Sequence, residues 1–153
     1  MPSLVESLDL RRVWILEGLN AEELEKVSGV VEYRHCPAET RVVEAGTSDR
    51  SLFVVLSGSV RIVTTATDGA ESPIAEVLPG QHFGEVCFVD GGARTASAMT
   101  NEATELLVID PRRFARFAEV EPMAAYKILW SMLRLLCGRL RNTDHWLFEL
   151  MAR

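Results

Sequence analysis

From Leu52 onward the chain is cut so often by glycine-bearing turns that long helices are excluded until Asp110 is passed. Leu52-Phe53-Val54-Val55-Leu56 is a compact apolar run that ends at Ser57-Gly58. Ser59-Val60-Arg61-Ile62-Val63-Thr64 then alternates between apolar and polar residues, the period of a strand with one buried face. Asp68-Gly69 is a hairpin signal ahead of the strand Ile74-Ala75-Glu76-Val77-Leu78, and Pro79-Gly80 turns the chain again. Two more strands are expected at Thr95–Thr100 and Thr104–Ile109. Short strands at such spacing over residues 32–110 predict a barrel, sandwich or roll.

Both flanks read as helical. Residues 1–31 have helical character from Val5, and Asn20 precedes Ala21-Glu22-Glu23-Leu24, so Asn20 and Glu23 can form a capping box. Leu24, Val27 and Val31 fall near one face. After the strands, Asp110-Pro111 is a helix-entry signal and Glu121-Pro122 starts a second, longer helix within residues 111–153. In that helix Tyr126, Leu133, Leu140 and Leu147 recur every seven residues, and Leu129, Leu136, Thr143 and Leu150 lie three after each. This a/d pattern suits pairing with a second copy, so a homodimer is expected. The competing reading packs the helix on its own roll, because Ile128, Trp130, Met132 and Cys137 broaden its apolar surface.

At 153 residues the chain has the length of one domain. Charges interrupt every long apolar stretch, as Arg134 and Arg139 do between Ile128 and Leu140, so no membrane span is expected. The first residues lack a basic flank followed by an apolar core, and a cytoplasmic location is expected. Three widely spaced cysteines, Cys36, Cys87 and Cys137, suit neither a disulfide framework nor a four-cysteine cluster. The three histidines, His35, His82 and His145, show no paired ligand spacing, and no serine or cysteine sits in a nucleophile setting. Enzyme activity and a resident cofactor are therefore not expected. A net charge of −6 disfavours broad binding to nucleic acid but permits a local basic pocket for one small anion.

One segment stands apart from these strands and helices, running from Phe83 to Ala96. Gly84 permits backbone torsions or a close approach that a side chain would hinder. A short apolar stretch, Val86-Cys87-Phe88-Val89, can form a single helical turn whose first amides favour an anion. Gly91-Gly92 bends the chain and brings Arg94 back, where a guanidinium meets phosphate oxygens in charge-assisted bonds and Thr95 adds a hydroxyl. Glu85 suits acceptance from a neutral hydroxyl such as that of a ribose. Taken singly, each residue has a plain structural reading, including an ion pair between Glu85 and Arg94.

In order and spacing the segment resembles the phosphate-binding cassette of the cyclic nucleotide-binding domain family. Gly84-Glu85 and Arg94-Thr95-Ala96 match that cassette, with nine residues from acid to arginine. Upstream, Arg41-Val42-Val43-Glu44-Ala45-Gly46-Thr47 looks like the glycine-turn entry to the family's roll, and Leu52 to Val60 resembles its strand–Gly–strand core. The resemblance runs from about Leu10 to Arg153. It implies a mainly β fold with helices (α+β): a jelly-roll-like β-roll flanked by an N-terminal helix and a long C-terminal helix, in one domain spanning 1–153.

It also implies a ligand, cAMP or cGMP, with cAMP favoured by the bacterial-like overall pattern. Glu85 would meet the ribose 2′-hydroxyl and Arg94 the cyclic phosphate. Phe83, Gly84 and the Val86-Cys87 backbone would line the site, with Thr95 and Ala96 at the phosphate or base. Thr143, the polar break in the heptads, falls where the catabolite activator-like branch places base contacts. Two positions depart from the family pattern: Cys87 stands for a small alanine, and Ala93 for a proline found in kinase regulatory subunits. The alternative is a module that keeps the fold and dimer seam without binding nucleotide. No helix-turn-helix module is legible after the long helix, so direct DNA binding is not expected, and a protein effector of unknown identity would receive the signal.

Overall fold

The computed structural model describes residues 8–153, and the strand-rich centre forms two antiparallel sheets. The strands are β1 (Val31–Cys36), β2 (Arg41–Val43), β3 (Leu52–Ser57), β4 (Val60–Thr65), β5 (Glu71–Val77), β6 (His82–Phe83), β7 (Ser97–Thr100) and β8 (Thr104–Ile109). One sheet has the order β1-β8-β3-β6 and the other β2-β7-β4-β5. The helices are α1 (Ala21–Ser28), α2 (Glu85–Asp90), α3 (Pro111–Val120) and α4 (Pro122–Met151). The expected α+β roll is present, and the Ser57-Gly58 turn joins a strand of one sheet to a strand of the other.

Strand alternation divides the core in two. Phe53, Val55, Leu106 and Val108 point into the roll with Val60, Val77 and Phe83. Their neighbours Leu52, Val54, Leu107 and Ile109 point the other way, against Val13, Ile15 and Leu16 and against Phe114, Phe117 and Ile128 of α3 and α4. β3 and β8 are buried on both faces, which explains why Leu52–Leu56 reads as an unbroken apolar run. Each such side chain removed from water contributes about 1.5–3 kcal/mol.

The expected caps form. Asn20 accepts from the Glu23 amide at 2.9 Å while the Glu23 carboxylate accepts from the Asn20 amide at 3.0 Å. Asp110 Oδ1 accepts from the amides of Arg112 and Arg113 at the start of α3. The N-terminal region departs from the expectation of a helix over 5–31. Its first residues lie outside those described. Two separate 3-10 turns, Leu10–Arg12 and Trp14–Leu16, precede α1, and Val31 already belongs to β1. The break has a cause: Val13 is extended, and Trp14 donates its amide to the Gly80 carbonyl at 3.0 Å instead of continuing a helix. Trp14 is thereby tied to the turn that precedes β6.

Gly58 holds a φ of +82°, and a Cβ there would lie 2.4 Å from Thr104 Oγ1 and 2.6 Å from the Ala103 carbonyl. Both backbone strain and a collision with the start of β8 oppose any side chain. Gly58→Ala should therefore lower the unfolding free energy by about 2–4 kcal/mol. Urea denaturation followed by circular dichroism measures this, and an unchanged midpoint would contradict the tight β3–β4 crossing.

Candidate ligand-binding site

Gly84 begins the site by adopting a φ of +85° between β6 and α2. A Cβ at that position would come within 2.6 Å of Arg94 Nη1, so glycine is required both for the turn and for the arginine lying across it. Arg94 is fixed through its backbone as well: its amide donates to the Thr47 carbonyl at 3.0 Å and its carbonyl accepts from the Gly46 amide at 2.8 Å. This is the glycine turn read upstream in the sequence, and its role is to hold Arg94.

The Arg94 side chain is only 5% exposed. Nη1 donates to the Gly84 carbonyl at 3.0 Å, Nη2 donates to the Ser51 carbonyl at 2.5 Å, and Nε has no partner. The guanidinium also lies 5.8 Å from the centre of the Phe53 ring. No carboxylate among the described residues pairs with it. A buried cation matched only by carbonyl dipoles is costly and favours capture of an anion.

Glu85 is also buried, and its partner is not Arg94. Its carboxylate accepts from Arg139 Nη1 on α4 at 2.5 Å, and Arg139 Nη2 donates to the His82 carbonyl at 2.8 Å. One arginine of the long helix thus clips both β6 and the first residue of α2. Cys87 is buried, with its Sγ 3.2 Å from the Ala93 carbonyl, so the thiol closes the cassette loop on itself. Phe83 stacks on Phe53 with ring centres 5.0 Å apart and forms the floor.

These groups line a cavity of about 640 Å³ between the β2-β7-β4-β5 sheet, the cassette and α4. Phe83, Gly84, Glu85, Val86, Cys87, Arg94, Thr95 and Ala96 all line it, so the structure brings the whole expected cassette to one place. Thr143 is not in the lining; it is exposed, and its hydroxyl donates to the Arg139 carbonyl at 3.0 Å on its own helix. Gly138, Arg139 and Asn142 supply the α4 wall instead, with Trp14 and Ile74 at other edges. A one-residue step on a helix turns a side chain by about 100°, which separates Asn142 from Thr143. Arg139 and Asn142 are close in the chain to Thr143, the polar break that stood out in the sequence, whereas nothing local marked Trp14.

His82 was legible only as an isolated histidine before Phe83. It is 1% exposed, and neither ring nitrogen has a partner. Burial pushes its imidazole from the ordinary 6.5 down to about 4; Arg139 acts in the same direction and Glu85 against it.

A two-sheet roll whose cassette buries an unmatched arginine beside a glutamate defines a domain suited to holding a small anion. Residues 33–121 match the cyclic nucleotide-binding domain family, and the chain belongs to it. It is 32% identical to the cyclic AMP receptor protein of Thermus thermophilus over 85% of this chain and 58% of that protein. The crystal structure of the Thermus thermophilus catabolite activator protein superposes with a TM-score of 0.78 at 31% identity, covering 89% of this chain and 62% of that one. A cyclic nucleotide-binding domain from Methylobacillus flagellatus shares the fold, with a TM-score of 0.83 at 20% identity over 91% of this chain and 82% of that one. The chain thus spans about three-fifths of the length of the Thermus proteins. No helix among the described residues is long and apolar enough to cross a membrane.

The unfolded chain takes up a proton at His82 below about pH 6.5, whereas the folded chain refuses it until about pH 4. Stability should therefore fall as pH drops through this window, by about 3 kcal/mol in all, and then level off with respect to His82. His82→Leu should flatten that part of the profile. Urea unfolding at a series of pH values tests it, and identical slopes for the two proteins would refute the assignment to His82.

Proposed function

We propose that the cavity binds a cyclic nucleotide, cAMP ahead of cGMP, and that the protein is a sensor rather than an enzyme. The observation that carries this reading is the buried Arg94 guanidinium, held by carbonyl oxygens and left without a carboxylate. A cyclic phosphate would supply the missing negative charge in charge-assisted bonds. Glu85 would accept from the ribose 2′-hydroxyl, and the base would extend toward Thr95 and the α4 wall. A second reading, a dimerisation module that needs no nucleotide, draws on Glu85 already being paired with Arg139.

The same ion pair suggests how binding is reported. A ribose engaging Glu85 would compete with Arg139, and any change there is felt directly by α4. Calorimetric titration with cAMP and cGMP tests the ligand. Arg94→Leu should weaken binding by roughly ten- to a hundredfold, and Glu85→Ala by less. Failure of the unmodified protein to bind either nucleotide would sink the sensor reading and leave the module.

α4 also presents an exposed apolar ridge, Met123, Tyr126, Trp130, Leu133, Cys137 and Leu140, with steps alternating between three and four residues. We propose that a second copy covers it. Leu129 and Leu136 of the a/d pattern lie beside it and are exposed as well, at 41% and 37%. Leu133 and Leu140 remain 52% and 60% exposed. Leu133→Glu/Leu140→Glu should convert a dimer into a monomer in light scattering. A monomeric unmodified protein at working concentrations would refute the pairing.

A further inference from the structure

A second positively charged feature lies away from the cassette, in a cleft of about 420 Å³ between β1 and α3. It is lined by Arg34, Arg112, Arg113 and Arg116 together with Glu32 and Asp110. Half of the twelve cations outside the cleft are matched: Arg11, Lys26, Arg41, Arg61, Lys127 and Arg139 each lie within 3.2 Å of a carboxylate oxygen. Within the cleft no arginine pairs with a carboxylate among the described residues. Asp110 spends its Oδ1 on the amides of Arg112 and Arg113, and Arg113 Nη2 donates to the Gly29 carbonyl at 2.9 Å. Three exposed guanidinium groups remain free to bind: Arg34, held 5.8 Å over the Phe53 ring, and Arg112 with Arg116, one helical turn apart on α3.

We propose that this cleft docks a carboxylate-rich segment of a partner protein. Three exposed forks, spread over a strand and two turns of a helix, suit several carboxylates along a chain, each taken in bidentate geometry. A single small anion would instead call for convergence in a buried cradle, as at Arg94. A nucleic-acid backbone calls for a basic stripe that continues beyond the cleft, and a chain of net charge −6 opposes a long polyanion. The cleft shares no lining residue with the cavity, although Ser51 and the Phe53 ring lie between the two, and the proposal stands whether or not the cavity takes a nucleotide.

Fluorescence anisotropy with a labelled poly-glutamate peptide tests the proposal. The unmodified protein should bind it saturably, more weakly as salt is raised. Arg112→Glu/Arg116→Glu should weaken binding by at least roughly tenfold while the cyclic-nucleotide titration stays unchanged. Should that variant misfold, Arg112→Gln/Arg116→Gln at two exposed positions should still give a severalfold loss. Absence of saturable binding, or equal binding by a folded variant, overturns the proposal. Tighter binding of a single-stranded oligonucleotide or of inorganic polyphosphate than of the peptide overturns the choice of a protein partner.

Discussion

Burying a guanidinium beneath a β-roll demands that much of the surrounding chain be arranged to tolerate it. Arg94 gives up nearly all its water, and its two terminal nitrogens recover oxygens from Ser51 at the entry to β3 and Gly84 at the entry to α2, while Nε has none. Gly84 must be left-handed and without a side chain for the arginine to lie there. The Gly46–Thr47 turn must reach across to hold the Arg94 backbone, and the Phe53 ring must offer its face. The cation consequently joins β2, β3, β6 and α2 at one point. A site built from backbone dipoles satisfies the charge in part and remains receptive to an anion.

Glu85 extends this arrangement to α4. A carboxylate at 9% exposure needs a counter-charge, and α4 provides one through Arg139. Because Arg139 also donates to the His82 carbonyl, helix and cassette are joined at two adjacent points. The helix is therefore placed by polar contacts at the site as well as by Ile128 and Met132 in the apolar core. Its opposite side keeps an apolar ridge. The cavity wall and the exposed apolar ridge thus belong to one helix of 30 residues.

Much of this was legible in the chain. Turn dipeptides located the strands because glycine's torsional freedom is a local property, and the caps at Asn20 and Asp110 involve residues only two or three positions apart. The cassette was legible through the fixed distance from Glu85 to Arg94. The N-terminal helix is shorter than its apolar spacing suggests, because the Trp14 amide is drawn to Gly80 by a contact no local pattern reveals. The heptads in α4 were visible, and their leucines Leu129, Leu133, Leu136 and Leu140 are all exposed. Thr143 attracted attention as a polar break, but the cavity faces its neighbour Asn142.

The sequence by itself determined the alternation of strands and turns after Leu52, the two C-terminal helices, the membership of the family and the residues of the cassette. All of these rest on periodicity, turn chemistry and short spacings. Only the tertiary structure decided that Arg94 is buried without a counter-ion and that Glu85 answers to Arg139, 54 residues away. It alone hid both nitrogens of His82 and gathered arginines from β1 and α3 around one cleft. Charge, burial and partnership are settled when distant segments close on each other, and which segments meet depends on the packing of two sheets and a helix rather than on any local pattern.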